Sequence, residues 1–448
     1  MKISEQPYIH YKDMMEIEYL QCKDEGLDVE SLKRDSYKMS AEEAYVYGDK
    51  LIAAPMRKDY KFYESNDFEE IMKDFQPSEL KKFSKEEILD KVKGAWAGRI
   101  SGCLLGKPVE TFPPHIMKSL CEKIQTYPLT GYMSVKNLTE ADYEYYKSIG
   151  YEEIKNAVWI DTIHDYAEAD DDTDYTCLAL RVLEKNGRNF VSDDVLEAWL
   201  ENMPYFAVCT AERVAYKNAA AGMLSPDTAF LRNPYREYIG AQIRSDLYGY
   251  INPGDPYAAA KMAWTDARIS HVKNGIYGSM FVAALIAQAA VETDVEKLVS
   301  KALEVVPKTS RLYVAIKEII EICKNTKDAK ELLGKIEQAY PYADRNDAGM
   351  YLSVHTITNA VICTAAILFS KGDFSKAITF AVTCGYDTDC NGATVGSVLG
   401  MLQGYSAIDK KWLVWNDTLA TRLVGQGMVT LDNLVKDTMK HCKFTAEK

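Results

Sequence analysis

Two acidic runs hold the residue types with the clearest chemical potential. The stretch C-G-Y-D-T-D-C-N-G-A-T-V-G-S-V-L-G, Cys384–Gly400, places Asp387, Asp389 and Asn391 at alternate positions ahead of Gly392. An EF-hand calcium loop opens this way, but its closing bidentate Glu would fall on Val398, so that reading fails. The second run, A-E-A-D-D-D-T-D-Y-T-C-L-A-L, sets Asp170, Asp171, Asp172 and Asp174 ahead of an apolar segment. One such carboxylate caps a helix N-terminus, and several favour its positive end. Three consecutive ones repel each other and need cations if they converge at a buried point. Hard carboxylate ligands suit Mg2+, Mn2+ or Ca2+, and two facing clusters could hold a pair of ions that orient and deprotonate a water.

Helices must position these groups. Ser84 followed three residues later by Glu87 is a capping-box start, and I-L-D-K-V-K-G-A-W-A-G follows it. From Asp174 onward most segments show apolar spacing of three to four residues and little alternation of period two, so the fold class is mainly α. Gly94, Gly98, Gly102 and Gly106 recur every fourth residue, as do Gly392, Gly396, Gly400 and Gly404. Each glycine costs a helix interior about 1 kcal/mol relative to Ala, so both rows need a reason. Rows four apart stay near one helical face and let another helix approach backbone to backbone. Residues 1–84 read as a polar, Tyr- and Lys-rich N-terminal extension or cap, helical in pieces such as Ser40–Ile52. Residues 85–448 read as the main helical domain, with an irregular insertion at about 113–168.

Composition bounds the partners. A formal net charge of −13 on 448 residues argues against a nucleic-acid backbone or an anionic membrane surface. Ten scattered cysteines without a C-x-x-C pair, behind a charged N-terminus that is no signal peptide, indicate free thiols and a cytoplasmic location. Three long uncharged runs, Asn274–Val291, Tyr351–Ser370 and Asn391–Ile408, carry too many polar residues and glycines for membrane spans and read as buried helices. There is no P-loop, no G-x-S-x-G elbow and no zinc spacing among the six histidines.

Three motifs in order resemble the ADP-ribosylglycohydrolase family. G-C-L-L-G-K-P-V-E, Gly102–Glu110, resembles its glycine-rich opening helix and G-x-P-x-E. Asp170-Asp171-Asp172-Thr173 resembles T-D-D-T, and Gly385-Tyr386-Asp387-Thr388-Asp389-Cys390 resembles G-G-D-T-D-T. The resemblance implies an all-α fold, a compact orthogonal multi-helix bundle, with two divalent cations, Mg2+ first and Mn2+ as the alternative. It implies Asp171, Asp172, Asp387 and Asp389 as ligands, and Glu110 beside the metals and a substrate ribose. Asp170 stands where the family has a Thr ligand, and Cys390 replaces a Thr or Ser, so both join the candidate metal set. Cys103 replaces a common Asp, and Tyr386 replaces the second glycine, where its ring could stack on a ligand. I-G-A-Q-I-R-S-D, Ile239–Asp246, resembles a central loop, and Ser270-His271 a T-H segment. Gln242, Arg244 and His271 therefore join Glu110 and Tyr386 as candidate substrate contacts. From the residues alone, an ion pair of Arg244 with Asp246 or another acid is equally plausible, as is a helix-end role for His271.

The function expected is metal-dependent hydrolysis of a ribosyl glycosidic bond by activated water. Asp172 or Asp389 would take the proton, and the metals or Glu110 would orient the ribose hydroxyls. The substrate would be a small ribosyl or ADP-ribosyl compound, free or carried on a protein. The alternatives are a nucleoside-type N-ribohydrolase, a phosphoesterase using Asp387-x-Asp389, and a non-catalytic ADP-ribose-binding relative.

Overall fold

The computed structural model describes residues 6–77, 83–163 and 165–443. Parts of the expected extension and of the insertion (1–5, 78–82, 164) and the C-terminal 444–448 lie outside the described residues. Helices build the molecule. Among the described residues the named strands are Thr418–Ala420 and Met428–Thr430, paired antiparallel with Thr418 opposite Thr430. The all-α expectation holds.

The capping box forms as expected: Glu87 N–H donates to Ser84 Oγ (3.2 Å), and Ser84 N–H donates to Glu87 Oε2 (2.9 Å). It starts the opening helix, Lys85–Gly106, which runs antiparallel against the helix Thr388–Gln403. The two glycine rows are each other's partners. A Cβ on Gly102 would overlap the carbonyl of Gly392, and one on Gly396 would overlap the carbonyl of Gly98. Side-chain-free faces thus bring two backbones into contact, and this offsets the propensity cost of the glycines.

The three uncharged runs contain buried helices: Lys273–Ala289, Thr356–Ser370 and Thr388–Gln403. Among the described residues, no helix is long and apolar enough to cross a membrane. The 113–168 stretch is more ordered than its composition suggests, with helices at Pro114–Lys123 and Glu140–Ser148. A capping box at Thr139 and Asp142 starts the second of these, a local signal that the aromatic and Pro content obscured.

The N-terminal segment includes the helices Met15–Asp24 and Ala41–Ile52. Met14, Ile17 and Leu51 share a small apolar cluster with Val214, Tyr238 and Tyr351. Buried ion pairs fasten it to the body: Arg236 holds Glu18 and Glu25, each at 2.6 Å, and Lys273 reaches Glu25 at 2.8 Å. Burial alone would make such charges costly, but each is paired.

Candidate metal centre and substrate cavity

The two acidic runs meet. Asp170 is the N-cap of helix Asp171–Asn186 and accepts the Asp172 N–H at 3.1 Å. Asp387 occupies the N-cap position of Thr388–Gln403, yet its side chain makes no capping bond. Its Oδ1 is buried with no hydrogen-bond partner, and so is Oδ2 of Asp172. Asp389 turns one oxygen back to the Cys390 N–H at 2.9 Å. A capping role therefore accounts for Asp170 and leaves Asp172 and Asp387 unexplained.

Ligand atoms cluster in three overlapping groups, each within 4.8 Å: Cys103 with Asp170 and Asp172, Asp172 with Asp389 and Cys390, and Glu110 with Asp387 and Asp389. Asp171 is in none of these groups. It lies at the cavity surface, 3.9 Å from Arg422. Glu110 reaches the centre because its loop is pinned by backbone bonds between Thr111 N–H and Tyr386 O (2.8 Å) and between Tyr386 N–H and Phe112 O (3.0 Å).

Electrostatics show what the cluster lacks. Burial, despite Arg99, pushes Asp172 well above the usual carboxylate range, with Asp389 adding to it. Burial and Asp389 do the same to Asp387, and burial with Asp170 lifts Asp389 to about 6. The charge of Asp389 raises Glu110, and an enclosed setting beside Asp170 takes Asp171 to about 8. For Asp170, burial opposes ionisation, but Lys107 prevails and holds it below its ordinary value. Crowded carboxylates that resist ionisation, two of them with orphaned oxygens, match the donor set of a hard divalent cation. The residues fit such a group. The thiols Cys103 and Cys390 are the poorer donors, since burial and neighbouring carboxylates drive both thiols well above their ordinary value.

Three basic residues that sequence reasoning passed over frame the centre. Arg99, fully buried in the opening helix, donates to Asp172 Oδ1 (3.2 Å) and Asp246 Oδ2 (2.7 Å). Lys107 pairs with Asp170, and Arg422 with Asp174 at 2.6 Å. A lone Arg inside A-W-A-G-R-I-S-G was the one available signal for Arg99.

Asp170, Asp171, Asp387 and Asp389 open onto a cavity of about 530 Å³ that also includes Glu110, Tyr175 and Glu212, while Asp172 is buried behind its lining. Gln242, Arg244, His271 and Tyr386, expected as substrate contacts, are not in its lining. Arg244 is buried, paired with Asp266 and with Glu212 (2.5 Å), and it also donates to Ser270 Oγ (2.8 Å). Its pairing is thus the ordinary ion pair, with other acids than Asp246, which takes Arg99. His271 is wholly buried, with Nδ1 at 2.8 Å from Ser270 Oγ, and burial lowers its pKa well below the ordinary value. Tyr386 turns its ring toward Tyr342 and its hydroxyl to the Tyr340 carbonyl. Gln242 is buried, next to Ile243 and two residues from Gly240, which do line the cavity.

In an all-α body, Glu110 just beyond one glycine-paired helix and Asp387 and Asp389 at the start of the other meet the Asp170–Asp172 run of a third helix. The chain belongs to the ADP-ribosylglycohydrolase family, whose model matches residues 84–433. No curated protein matches the chain. Solved structures that resemble it include one described as "ADP-ribosylglycohydrolase-related protein complex", 19% identical, with a TM-score of 0.47 over 80% of this chain and 98% of that one.

Proposed function

We propose that the protein is a divalent-cation-dependent hydrolase of a ribosyl glycosidic bond. The observation that carries this reading is the pair of orphaned buried oxygens, Asp172 Oδ2 and Asp387 Oδ1, in a carboxylate cluster facing a ligand-sized cavity. Asp172, Asp387 and Asp389 would hold the cations, flanked by Asp170 and Glu110. When bound, such ions lower the pKa of a water and polarise it toward attack.

The chain's own residues do the rest. Arg99 fixes Asp172, leaving its second oxygen directed into the cluster. Asp389, shared by two ligand groups, accepts the proton of the attacking water. The water oxygen forms a bond to the anomeric carbon as the bond to the leaving group breaks, and the proton held by Asp389 passes to the departing group, or to solvent where that group leaves neutral. Glu110, at the exposed rim, hydrogen-bonds the ribose hydroxyls. The surrounding carboxylates favour the positive, oxocarbenium-like transition state. Family membership and the facing Asp172 favour this over phosphoester cleavage by Asp387.

The test is a panel of ADP-ribosyl-arginine, ADP-ribosyl-serine, nucleosides and phosphomonoesters, with and without Mg2+ or Mn2+. Metal-dependent release of base or side chain, lost in Asp172→Asn and Asp389→Asn, supports the reading. Release of phosphate alone, or ligand binding without turnover, counts against it.

A further inference from the structure

The three ligand groups of the centre are not alike. Glu110, Asp387 and Asp389 offer oxygen only, the donor type of a hard cation such as Mg2+. Asp172 and Asp389 form a second group with Cys390, whose sulfur lies within 4.8 Å of a carboxylate oxygen from each. Cys390 is buried, yet it lines the cavity beside Asp387 and Asp389. Its backbone N–H holds one oxygen of Asp389 at 2.9 Å, which ties the two residues together in the first turn of their helix.

We propose that Asp172, Asp389 and Cys390 form a mixed carboxylate–thiolate site for a borderline divalent cation of the Zn2+ class, beside an all-oxygen site for Mg2+ at Glu110, Asp387 and Asp389. Acidic crowding alone does not carry this. Asp172 is fully buried, Arg99 takes its Oδ1 at 3.2 Å, and its Oδ2 has no hydrogen-bond partner. A buried, unpaired carboxylate oxygen is costly unless a cation meets it. Sulfur then decides which cation. A thiolate is a soft donor that favours Zn2+, Co2+ or Fe2+ over Mg2+. On binding, the Cys390 S–H bond breaks, its proton leaves to solvent, and the sulfur electron pair forms the bond to the cation.

The other thiol is not equivalent. Cys103 lies with Asp170 and Asp172, but Asp170 spends its oxygens on Lys107 and on the Asp172 N–H (3.1 Å). Lys107 already neutralises that carboxylate, and its positive charge disfavours a second cation beside it. Only Asp172 is left to share with Cys103. The softer ion therefore belongs to the Cys390 side, where Asp172 and Asp389 both contribute.

This inference rests on the reading of the cluster as a cation centre and not on the bond cleaved there, so the two can fail separately. The full-length protein would be stripped with chelator, supplied with Mg2+ and titrated with Co2+, a spectroscopic stand-in for Zn2+. A near-ultraviolet thiolate-to-cobalt charge-transfer band should grow in, saturate at about one equivalent and vanish on addition of Zn2+. Cys390→Ser should remove the band and weaken Co2+ binding at least tenfold by calorimetry, while Cys103→Ser keeps both. A retained Mg2+-induced rise in Tm shows that Cys390→Ser is folded. X-ray absorption at the zinc edge, on wild type loaded with about one equivalent, needs no variant and should find a sulfur ligand. No band, a band that survives Cys390→Ser, or a zinc shell without sulfur would overturn the inference. A cysteine-dependent band in a protein that cleaves no ribosyl bond would support the mixed site and sink the hydrolase reading.

Discussion

Asp172 and Asp389 belong to the first turns of two different helices, yet they place carboxylate oxygens within 4.8 Å of each other, with Cys390 Sγ equally close. Arg99 balances part of the charge through Asp172, but Asp387 and Asp389 have no equivalent buried cation among the hydrogen bonds and ion pairs described above. The fold therefore carries an electrostatic strain that a divalent ion would relieve.

That strain is measurable as heat stability. Mg2+ or Mn2+ should raise the Tm of the protein in a concentration-dependent way, because a ligand bound only to the folded state stabilises it by mass action. Asp387→Asn should abolish most of the shift. The same variant should be more stable than wild type by roughly 1 kcal/mol in chelator, since it removes a crowded buried charge. Differential scanning fluorimetry in EDTA and in Mg2+ reads both effects.

The glycine interface should tolerate no side chain. Gly98 and Gly396 face each other, and a Cβ on either would overlap the other's carbonyl. Gly396→Ala is expected to cost about 3 kcal/mol or more, the upper range for overpacking, because backbone cannot move aside as a side-chain end would. By contrast Gly334→Ala, a helix position with open space around it, should gain up to about 1 kcal/mol. Urea unfolding midpoints compare the two directly.

Arg244 is expected to act through stability. Replacing it with Met leaves Glu212 and Asp266 buried without their partner, a loss of about 3–5 kcal/mol by the usual cost of breaking a buried pair. Substrate KM, measured on whatever fraction remains folded at low temperature, should move less than threefold. A large KM effect with unchanged Tm would place Arg244 in substrate binding after all.

The ion pairs that fasten the N-terminal segment set a pH dependence. Burial works to raise Glu25, but Arg236 and Lys273 overcome it and hold Glu25 below its ordinary value of 4.5. The folded state thus binds this proton less readily than the unfolded chain does. Stability from this group is full above about pH 4.5 and is lost as pH falls toward the folded value. Glu25→Gln should be less stable than wild type at pH 7, and the difference should shrink steadily below pH 4.5. Chemical denaturation across pH 3–7 checks the sign; a gap that widens on acidification would contradict it.

Much of the fold and centre was legible in local patterns. The Ser84 capping box, the glycine rows and the acidic runs are short-range signals, and the structure turns each into a helix start, an interface or a cluster. What could not be read depended on contacts far apart in the chain. Arg244 finds Glu212 and Asp266 through tertiary packing, while Asp246, its near neighbour, is taken by Arg99. Tyr386 stands beside a candidate ligand, but its positive φ of 65° and its bond to the Tyr340 carbonyl turn the ring toward Tyr342, outside the cavity lining. The docking of the N-terminal segment was hidden for the same reason: the Arg236–Glu18 pair spans 218 residues.

The most direct test of the central claim is product analysis on one protein preparation, with and without Mg2+. N-ribosylnicotinamide and ADP-ribosyl-arginine would be incubated with wild type and Asp389→Asn, and free aglycone, reducing sugar and phosphate quantified by chromatography. Aglycone and reducing sugar should form in equal amounts from at least one substrate, in Mg2+ only, with the rate falling at least a hundredfold in Asp389→Asn. Phosphate release without aglycone, or aglycone release that persists in EDTA and in Asp389→Asn, would contradict it.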